Sequence, residues 1–328
     1  MGRLGELAGR IAERVVGRRA EPVPTTGDGS DGERTALDLA ADVAANPRTV
    51  ALDDGRRLGY ADCGDPDGDP LVLCHGFPNS RVLGALFDAV AREEGVRVLA
   101  PDRPGMGVSD PDPDRSLTDW PDDLRGFLDA LDVATAPVLG FSGGGPYALA
   151  AAALLDDRVP RAGVVCGVGP MASVDLRRRL WYYAARVAPP ASKAALWLLG
   201  RRALRDREAF LDALADDAAP ADGPLWRGEV GRVVHASMVE STRTHGLDPL
   251  VRETAIYGRP WGFDLADVEV PVSLWYGKAD TLVPPEMGLY LAREVPTAEA
   301  HLYPDLGHLS VLDRHERTVV RTLVGAAD

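Results

Sequence analysis

Two patterns of apolar positions divide the chain. Before residue 170 and after residue 266, short apolar runs alternate with stretches whose apolar side chains recur every three or four residues. The runs predict strands and the stretches predict helices. The predicted strands are Thr49–Leu52, Arg57–Ala61, Leu71–Cys74, Val96–Ala100, Pro137–Gly140, one centred on Val164 and Val165, Val270–Tyr276 and Ala298–Tyr303. The predicted helices are Arg81–Glu94, Leu117–Leu131, Gly144–Leu155, Pro285–Val295 and Val311–Val324. This alternation is typical of a mainly parallel sheet with crossover helices.

The alternation stops over residues 170–265, where the pattern is helical throughout. The predicted helices there are Leu176–Val187, Ser192–Arg205, Arg207–Ala215 and Glu229–His245. We therefore expect an all-helical cap, residues 170–265, inserted into an α/β domain formed by residues 47–169 and 266–328.

Residues 1–46 differ from the rest of the chain. Leu4, Leu7, Ile11 and Val15 recur at helical spacing with arginines between them, which predicts an amphipathic helix over residues 1–20. A Pro/Gly/Asp-rich linker over residues 21–35 and a short helix over residues 36–45 follow. The first helix either packs on its own protein or touches an anionic membrane surface.

The composition of the chain limits which kinds of partner and which cellular compartment we expect. The formal net charge of −14 argues against a nucleic-acid partner, because neutralising phosphates requires a basic surface. The acidic surface fits either a high-salt habitat or a GC-rich genome. The chain has only three cysteines, no long apolar span and no secretion signal, so we expect a cytoplasmic protein.

The sharpest chemical signal is Gly140-Phe141-Ser142-Gly143-Gly144, at the point where a predicted strand turns directly into a predicted helix. Such a turn strains the central residue and lifts its side chain out of the sheet. Gly140 and Gly144 are expected where neighbouring backbone leaves no room for a Cβ. Ser142 is therefore the predicted nucleophile.

A serine nucleophile needs a base and an orienting carboxylate. Of the six histidines, His308 lies in a predicted loop after the last strand, and Asp280 follows the strand before it. The carboxyl ends of parallel strands meet at one sheet edge, so Ser142, Asp280 and His308 are predicted to form a catalytic triad in that chain order.

Acyl transfer also needs N–H donors for the oxyanion. The loop His75-Gly76-Phe77-Pro78 follows a predicted strand, so the backbone N–H groups of Phe77 and Gly143 are the predicted donors, with His75 structural. The predicted substrate-binding side chains are Phe77, Phe141 and Trp261; for Trp261 the alternative is packing of the cap on the core.

From about residue 48 to residue 328 the chain resembles the α/β-hydrolase superfamily. The motifs that carry the resemblance are His75–Pro78, Asp102–Ser109, Gly140–Gly144, Gly277–Asp280 and Gly307-His308. The resemblance implies an eight-stranded, mainly parallel sheet flanked by helices, with a helical cap. Haloalkane dehalogenases and epoxide hydrolases of that superfamily use aspartate where Ser142 stands, which argues against both.

Together these features predict a serine hydrolase, similar to carboxylesterases, that cleaves a small or medium uncharged ester and needs no cofactor or metal. Two alternatives stay open. One is other triad chemistry on this fold: C–C bond hydrolysis, a lyase reaction or cofactor-free peroxidation. The other is a ligand-binding receptor with a slow triad. The pattern leaves the oligomeric state and the identity of the small-molecule substrate open.

Overall fold

The computed structural model of the chain describes residues 34–174 and 187–325. The strands are β1 (Arg48–Ala51), β2 (Arg57–Gly64), β3 (Asp69–Cys74), β4 (Val96–Pro101), β5 (Val138–Phe141), β6 (Ala162–Val165), β7 (Val272–Gly277) and β8 (Ala298–Tyr303). The α-helices are α1 (Ala36–Ala45), α2 (Asp88–Glu93), α3 (Trp120–Ala130), α4 (Gly145–Leu154), α5 (Pro189–Arg205), α6 (Arg207–Asp217), α7 (Gly223–Arg227), α8 (Glu229–Ser241), α9 (Asp248–Tyr257), α10 (Pro285–Glu294) and α11 (His308–Val324).

The strands form one eight-stranded sheet in the order β1-β2-β4-β3-β5-β6-β7-β8. Strand β2 pairs antiparallel with β1 and β4, and every other pair is parallel. The carboxyl ends of β5, β7 and β8 therefore lie at the same edge of the sheet, as the placement of the predicted triad requires. The predicted mainly parallel sheet is confirmed.

The core has two layers because side chains alternate across the sheet. In β3, Leu71 and Leu73 belong to one apolar cluster, whereas Val72 and Cys74 belong to the other. Helices α3, α4 and α10 cover the face of Val72, and α1, α2 and α11 cover the face of Leu71. A run of consecutive apolar residues is the sequence signature of a strand covered on both faces.

The helical region between β6 and β7 is firmly attached to the core through α8. The Ser80 N–H donates to Ser237 Oγ at 2.9 Å. The buried Arg81 pairs with Asp102 at 2.8 Å and with Glu240 of α8 at 2.7 Å. Because removing one member of a buried ionic cluster leaves an uncompensated charge, these pairs hold the docked position of α8 strongly.

The described part of residues 170–265 carries helices α5 to α9 and no strand, in agreement with the predicted pattern. The predicted helix Leu176–Val187 lies outside the described residues except for Val187. The predicted helix Glu229–His245 is too long, since α8 ends at Ser241 and the chain reverses at Gly246, which has φ of 63°. Helix α9, which follows this turn, was not predicted.

Three other elements differ from the predictions. The segment Arg81–Glu94 is a 3₁₀ helix (Arg81–Phe87) followed by α2, and the Arg81 N–H at its start donates to the Asp102 carboxylate at 2.6 Å. Helix α4 likewise follows a short 3₁₀ turn (Ser142–Gly144). His308 does not lie in a loop but begins α11.

The short predicted helix α1 packs on the folded body. Leu39 and Ala40 are buried among residues of the core, and the Leu37 N–H donates to Glu229 of α8 at 2.9 Å. The predicted helix 1–20 and all but the end of the linker lie outside the described residues. No helix in the described ranges has the length and apolar character needed to cross a bilayer.

Candidate active site

The turn between β5 and α4 presents Ser142. Its φ is +54°, in the left-handed region that few non-glycine residues adopt, so the predicted backbone strain is present. A Cβ at Gly144 would lie 1.9 Å from the Cys74 carbonyl oxygen, and one at Gly140 would lie 2.6 Å from the Gly144 oxygen. The predicted need for both glycines is thus confirmed, and the neighbouring backbone is its cause.

Asp280 and His308 meet at the same sheet edge. The His308 Nδ1–H donates to Asp280 Oδ2 at 2.8 Å, and both side chains are almost fully buried. Asp280 Oδ1 accepts the N–H groups of Leu282 and Val283 at 2.8 and 2.9 Å. The carboxylate is therefore fixed in place and leaves Nε2 of His308 as the free ring nitrogen.

Backbone hydrogen bonds join the two loops that carry this pair. The Lys278 N–H donates to the Tyr303 carbonyl at 2.8 Å, and the Ala279 N–H donates to the Leu306 carbonyl at 3.0 Å. Phe141, the residue before Ser142, packs its ring 5.0 Å from the His308 imidazole. These contacts bring the histidine beside the turn that carries Ser142.

Burial by itself lowers the pKa of His308, but the Asp280 carboxylate outweighs this effect, with a further contribution from Asp222. The pKa of His308 consequently lies above its ordinary value. A histidine of this kind accepts a proton readily and stabilises the charge that it then carries.

Cys166 is a neighbour of this pair that the sequence analysis did not assign to the site. Its Sγ lies within 4.8 Å of ligand-type atoms of both Asp280 and His308. Burial raises the pKa of the Cys166 thiol well above its ordinary value, and the Asp280 carboxylate raises it further. The sulfur is therefore a protonated thiol packed against the carboxylate.

The loop after β3 lies against the turn that carries Ser142. A Cβ built on Gly143 would be 2.9 Å from the backbone nitrogen of Phe77, which shows how closely the two predicted oxyanion donors approach. His75 is fully buried; its Nδ1 donates to the Gly76 carbonyl at 2.9 Å, and its Nε2 accepts the Arg103 N–H at 3.3 Å. Both ring nitrogens are thus bonded to the backbone, which is consistent with the predicted structural role of His75.

A buried ionic cluster supports this loop. Glu253 of α9 pairs with Arg103 at 2.8 Å and with Arg115 at 2.5 Å, and accepts a hydrogen bond from the Tyr147 hydroxyl at 2.8 Å. Burial by itself raises the pKa of Glu253, but the two arginines outweigh it and hold the pKa below its ordinary value. Arg103 in turn donates to the carbonyl oxygens of His75 and Gly76.

Helix α9 also places Tyr257 at the turn. Its hydroxyl lies 2.8 Å from the Gly143 carbonyl oxygen and 2.8 Å from Glu253 Oε1. Burial raises the pKa of Tyr257 well above its ordinary value, so the hydroxyl keeps its single proton, which it donates to one of these two acceptors at a time. The sequence analysis missed this helix, although Pro249 near its start and the apolar spacing Leu250, Val251, Ile256, Tyr257 were available signals.

Phe77 forms one wall of an apolar cluster between core and cap. Its neighbours are Met106 of the loop after β4, Leu196 of α5, and Leu250 and Val251 of α9. The Tyr257 ring packs edge-on against Phe77 at 5.9 Å. Phe77 thus combines a backbone N–H beside Gly143 with a side chain that faces apolar groups of the cap.

The other two predicted substrate-binding side chains are more buried. Phe141 is 3% exposed and lies against His308. Trp261 is 6% exposed, and its aromatic partner is Phe263 at 5.8 Å rather than a ring of the site. The structure therefore brings Phe141 to the histidine and places Trp261 in the main apolar core.

Comparison with protein families gives one match over most of the chain. A family model described as alpha/beta hydrolase fold matches residues 69–315. Among solved structures, an enol-lactonase from Burkholderia xenovorans LB400 is similar, with a TM-score of 0.63 and 22% identity over 85% of this chain and 100% of that chain.

Two curated relatives are similar over most of this chain. One is a 2-hydroxymuconate semialdehyde hydrolase of Pseudomonas putida, 26% identical, with 84% of this chain and 92% of the relative covered. The other is a dihydrolipoyllysine-residue acetyltransferase component of an acetoin cleaving system, also of Pseudomonas putida, 28% identical over 80% of this chain. The chain spans only 65% of the length of that second relative.

Proposed function

The chain belongs to the α/β-hydrolase fold family and is a hydrolase, and we propose that it cleaves a small or medium uncharged ester through Ser142, His308 and Asp280. The observation that carries the proposal is the position of a strained Ser142 directly after Phe141, whose ring packs 5.0 Å from the His308 ring of the buried Asp280–His308 pair. A nucleophile, a base and an orienting carboxylate on three separate strand ends are the groups that acyl transfer requires.

In the proposed reaction, Ser142 Oγ attacks the ester carbonyl while Nε2 of His308 takes the hydroxyl proton. The oxyanion that forms accepts hydrogen bonds from the N–H groups of Phe77 and Gly143. His308 then gives its proton to the departing alkoxide, and an acyl-enzyme remains on Ser142. Water, deprotonated by His308, releases the acid. Asp280 stabilises the imidazolium in both halves of the reaction.

The pairing of the buried arginines supports an uncharged substrate. The fully buried arginines of the described ranges are Arg81, Arg103 and Arg115, and each is paired with a carboxylate of the protein. None of these three offers a free cation to an anionic substrate. The apolar cluster of Phe77, Leu196 and Leu250 is a suitable wall for an acyl chain instead.

C–C bond hydrolysis is the second candidate, because one relative that is covered over 92% of its length is named a 2-hydroxymuconate semialdehyde hydrolase. Both proposals assign the same triad, and they differ in the substrate and in the bond that is cleaved. Turnover of 2-hydroxymuconate semialdehyde faster than any ester would replace the first proposal by the second.

Cytoplasmic location is part of the same proposal. Cys63, Cys74 and Cys166 are all free and buried. Disulfides are rare in a reducing compartment such as the cytoplasm, so three free cysteines fit this location.

Labelling with a fluorophosphonate probe tests the nucleophile, and p-nitrophenyl esters of increasing acyl length test the reaction. We expect Ser142→Ala to abolish labelling and to lower kcat by about 10⁴–10⁶ while the fold is kept. Ser116→Ala is the matched control, since Ser116 bonds only to Thr118 and Asp119 on a different loop. A Ser142→Ala protein with more than about a tenth of the wild-type activity would show that Ser142 is not the nucleophile.

A burst of one acyl group per protein without further turnover would instead favour the receptor with a slow triad. Product analysis by mass spectrometry separates ester hydrolysis from lyase and peroxidase chemistry, because only ester hydrolysis converts an ester and water into the free acid and alcohol.

A further inference from the structure

Asp222, in the turn between α6 and α7, reaches the main chain of His308. Its Oδ2 accepts the His308 N–H at 2.6 Å, and its Oδ1 accepts the Ser310 N–H at 2.8 Å. The residue is 2% exposed. A carboxylate of the helical region between β6 and β7 is thus bonded to the backbone of the residue that we assign as the base.

The two bonds occupy the N-terminus of α11. The first N–H groups of a helix have no partner within the helix, and its N-terminus carries partial positive charge. Gly307 precedes His308 and has no side chain to accept them. The Asp222 carboxylate, from another part of the chain, therefore caps the N-terminus of α11, whose first residue is His308.

Gly307 is required by this contact. A Cβ at Gly307 would lie 2.4 Å from Asp222 Oδ2 and 2.6 Å from the Ala219 side chain. The absence of a side chain before His308 makes room for the Asp222 carboxylate. Gly307 and His308 are thus one side of a contact whose other side, Asp222, lies 86 residues before His308 in the sequence.

The segment that carries Asp222 is docked by apolar packing as well. Trp226 of α7 is buried in the same cluster as Leu306, Leu309 and Val311, which flank His308. The Asp222 N–H is itself bonded to the Ala219 carbonyl at 2.9 Å, so the turn is ordered on both sides of the carboxylate. The position of His308 and the docking of this turn are therefore linked.

Three groups with a titratable side chain face His308 from different elements. Asp280 follows β7, Cys166 follows β6, and Asp222 precedes α7. Asp280 bonds the ring, whereas Asp222 bonds the backbone of the same residue. The two carboxylates thus act on different atoms of one histidine.

We propose that Asp222, in the helical cap of residues 170–265, is a positioning residue of the reaction. It holds the backbone of His308, so that the base is in place only when the turn of residues 219–228 is docked on the core. This inference rests on the proposed function, since it assigns a role to Asp222 through His308.

The test compares Asp222→Ala and Asp222→Asn with Asp206→Ala and Asp206→Asn. Asp206 is the matched control because it is also an aspartate of the cap region that caps a helix, accepting the Ala209 N–H at 3.0 Å, but it is exposed and caps α6 instead of α11. The readouts are kcat and KM for a p-nitrophenyl ester, the pH profile of kcat/KM, the melting temperature, and the titration of the His308 ring followed by NMR.

For Asp222→Ala we expect kcat to fall about tenfold to a hundredfold with KM within about twofold, because a small displacement of a reacting group is costly. In Asp222→Asn, which keeps the size of the side chain but removes the charge, we expect His308 to titrate at lower pH. The Asp206 variants should lose some thermal stability and keep the wild-type kcat and pH profile.

A lower melting temperature with unchanged kcat and an unmoved His308 titration in both Asp222 variants would overturn the proposal and leave only a helix cap. If Asp222→Ala fails to fold, the kcat and the His308 titration of Asp222→Asn decide between a positioning residue and a helix cap. If the wild-type protein hydrolyses no ester, the proposed function fails, whereas the NMR titration still decides whether Asp222 acts on His308.

Discussion

The hydroxyl of Tyr257 lies 2.8 Å from the carbonyl oxygen of Gly143, the residue that follows the proposed nucleophile. The same hydroxyl is 2.8 Å from Glu253, which two arginines hold in its ionised form. The last residue of α9 therefore places a hydroxyl, with one proton for two acceptors, directly against the glycine whose N–H is the proposed oxyanion donor.

We expect Tyr257→Phe to lower kcat about tenfold and the free energy of unfolding by about 1 kcal/mol, because Gly143 loses one hydrogen bond and a buried acceptor is left unpaired. Steady-state kinetics and thermal melting measure the two effects. Tyr276→Phe is the control, since the Tyr276 hydroxyl also donates to a buried carbonyl, that of Gly167, at 2.8 Å. An equal fall in kcat in both variants would contradict a specific role for Tyr257.

The activity should rise with pH through the titration of His308, because only the neutral imidazole accepts the Ser142 proton. Although burial lowers the pKa of His308, Asp280 raises it above the ordinary value of 6.5, so the inflection of kcat/KM should lie above that pH.

In Asp280→Asn the raising charge is gone while burial persists, so the inflection should move to lower pH and kcat should fall by about 10⁴. Asp305→Asn, at an exposed aspartate of the loop before His308, should change neither quantity. A profile that is flat from about pH 5 to 8 would contradict the assignment of His308 as the base.

The apolar cluster around Phe77 should set the preferred acyl length. Burial of one methylene contributes about 0.8 kcal/mol, so kcat/KM should climb roughly fourfold per carbon until the pocket is full and then fall. We expect Leu250→Ala to move the optimum to longer chains. Leu291→Ala in α10 is the control, because Leu291 is comparably buried but belongs to the core cluster that contains Val72. It should lower the melting temperature without moving the optimum.

Trp261→Ala tests the predicted role of this residue in substrate binding. An enlarged pocket should move the optimum acyl length upward and leave the pH profile unchanged. Loss of about 3–5 kcal/mol of stability with the same optimum would show that Trp261 serves only to pack the core beside Phe263. The ester series and the melting temperature are measured on the same preparation.

Removal of residues 1–33 should leave kcat/KM unchanged, because Ser142, Asp280, His308 and both proposed oxyanion donors lie outside this segment of the sequence. Removal of residues 1–46 should destabilise the protein, because it also deletes Leu39 and Ala40 from the core and the Leu37 bond to Glu229. A drop of more than half in kcat/KM for the shorter deletion would show that residues 1–33 act on the site. Binding of the full chain, but not the shortened chain, to anionic vesicles would support the predicted interfacial helix.

The sequence by itself determined the elements with strong local signals. Buried parallel strands require continuous apolar runs, and the sharp turn at Ser142 requires glycines on both sides, so the sheet and the position of this residue were predicted correctly. Asp280 and His308 were placed because each follows a strand, and the carboxyl ends of parallel strands share one edge.

Only the tertiary structure decided which distant groups support that site. Asp222, Glu253, Tyr257 and Cys166 show no pattern along the chain, because each acts through a contact with a residue far away in sequence. The apolar spacing of helix α9 could be read from the sequence, but the burial of its Glu253 could not, because that burial depends on Arg103 and Arg115. A charged residue is read as exposed until its partners are known, and long-range contacts alone supply those partners.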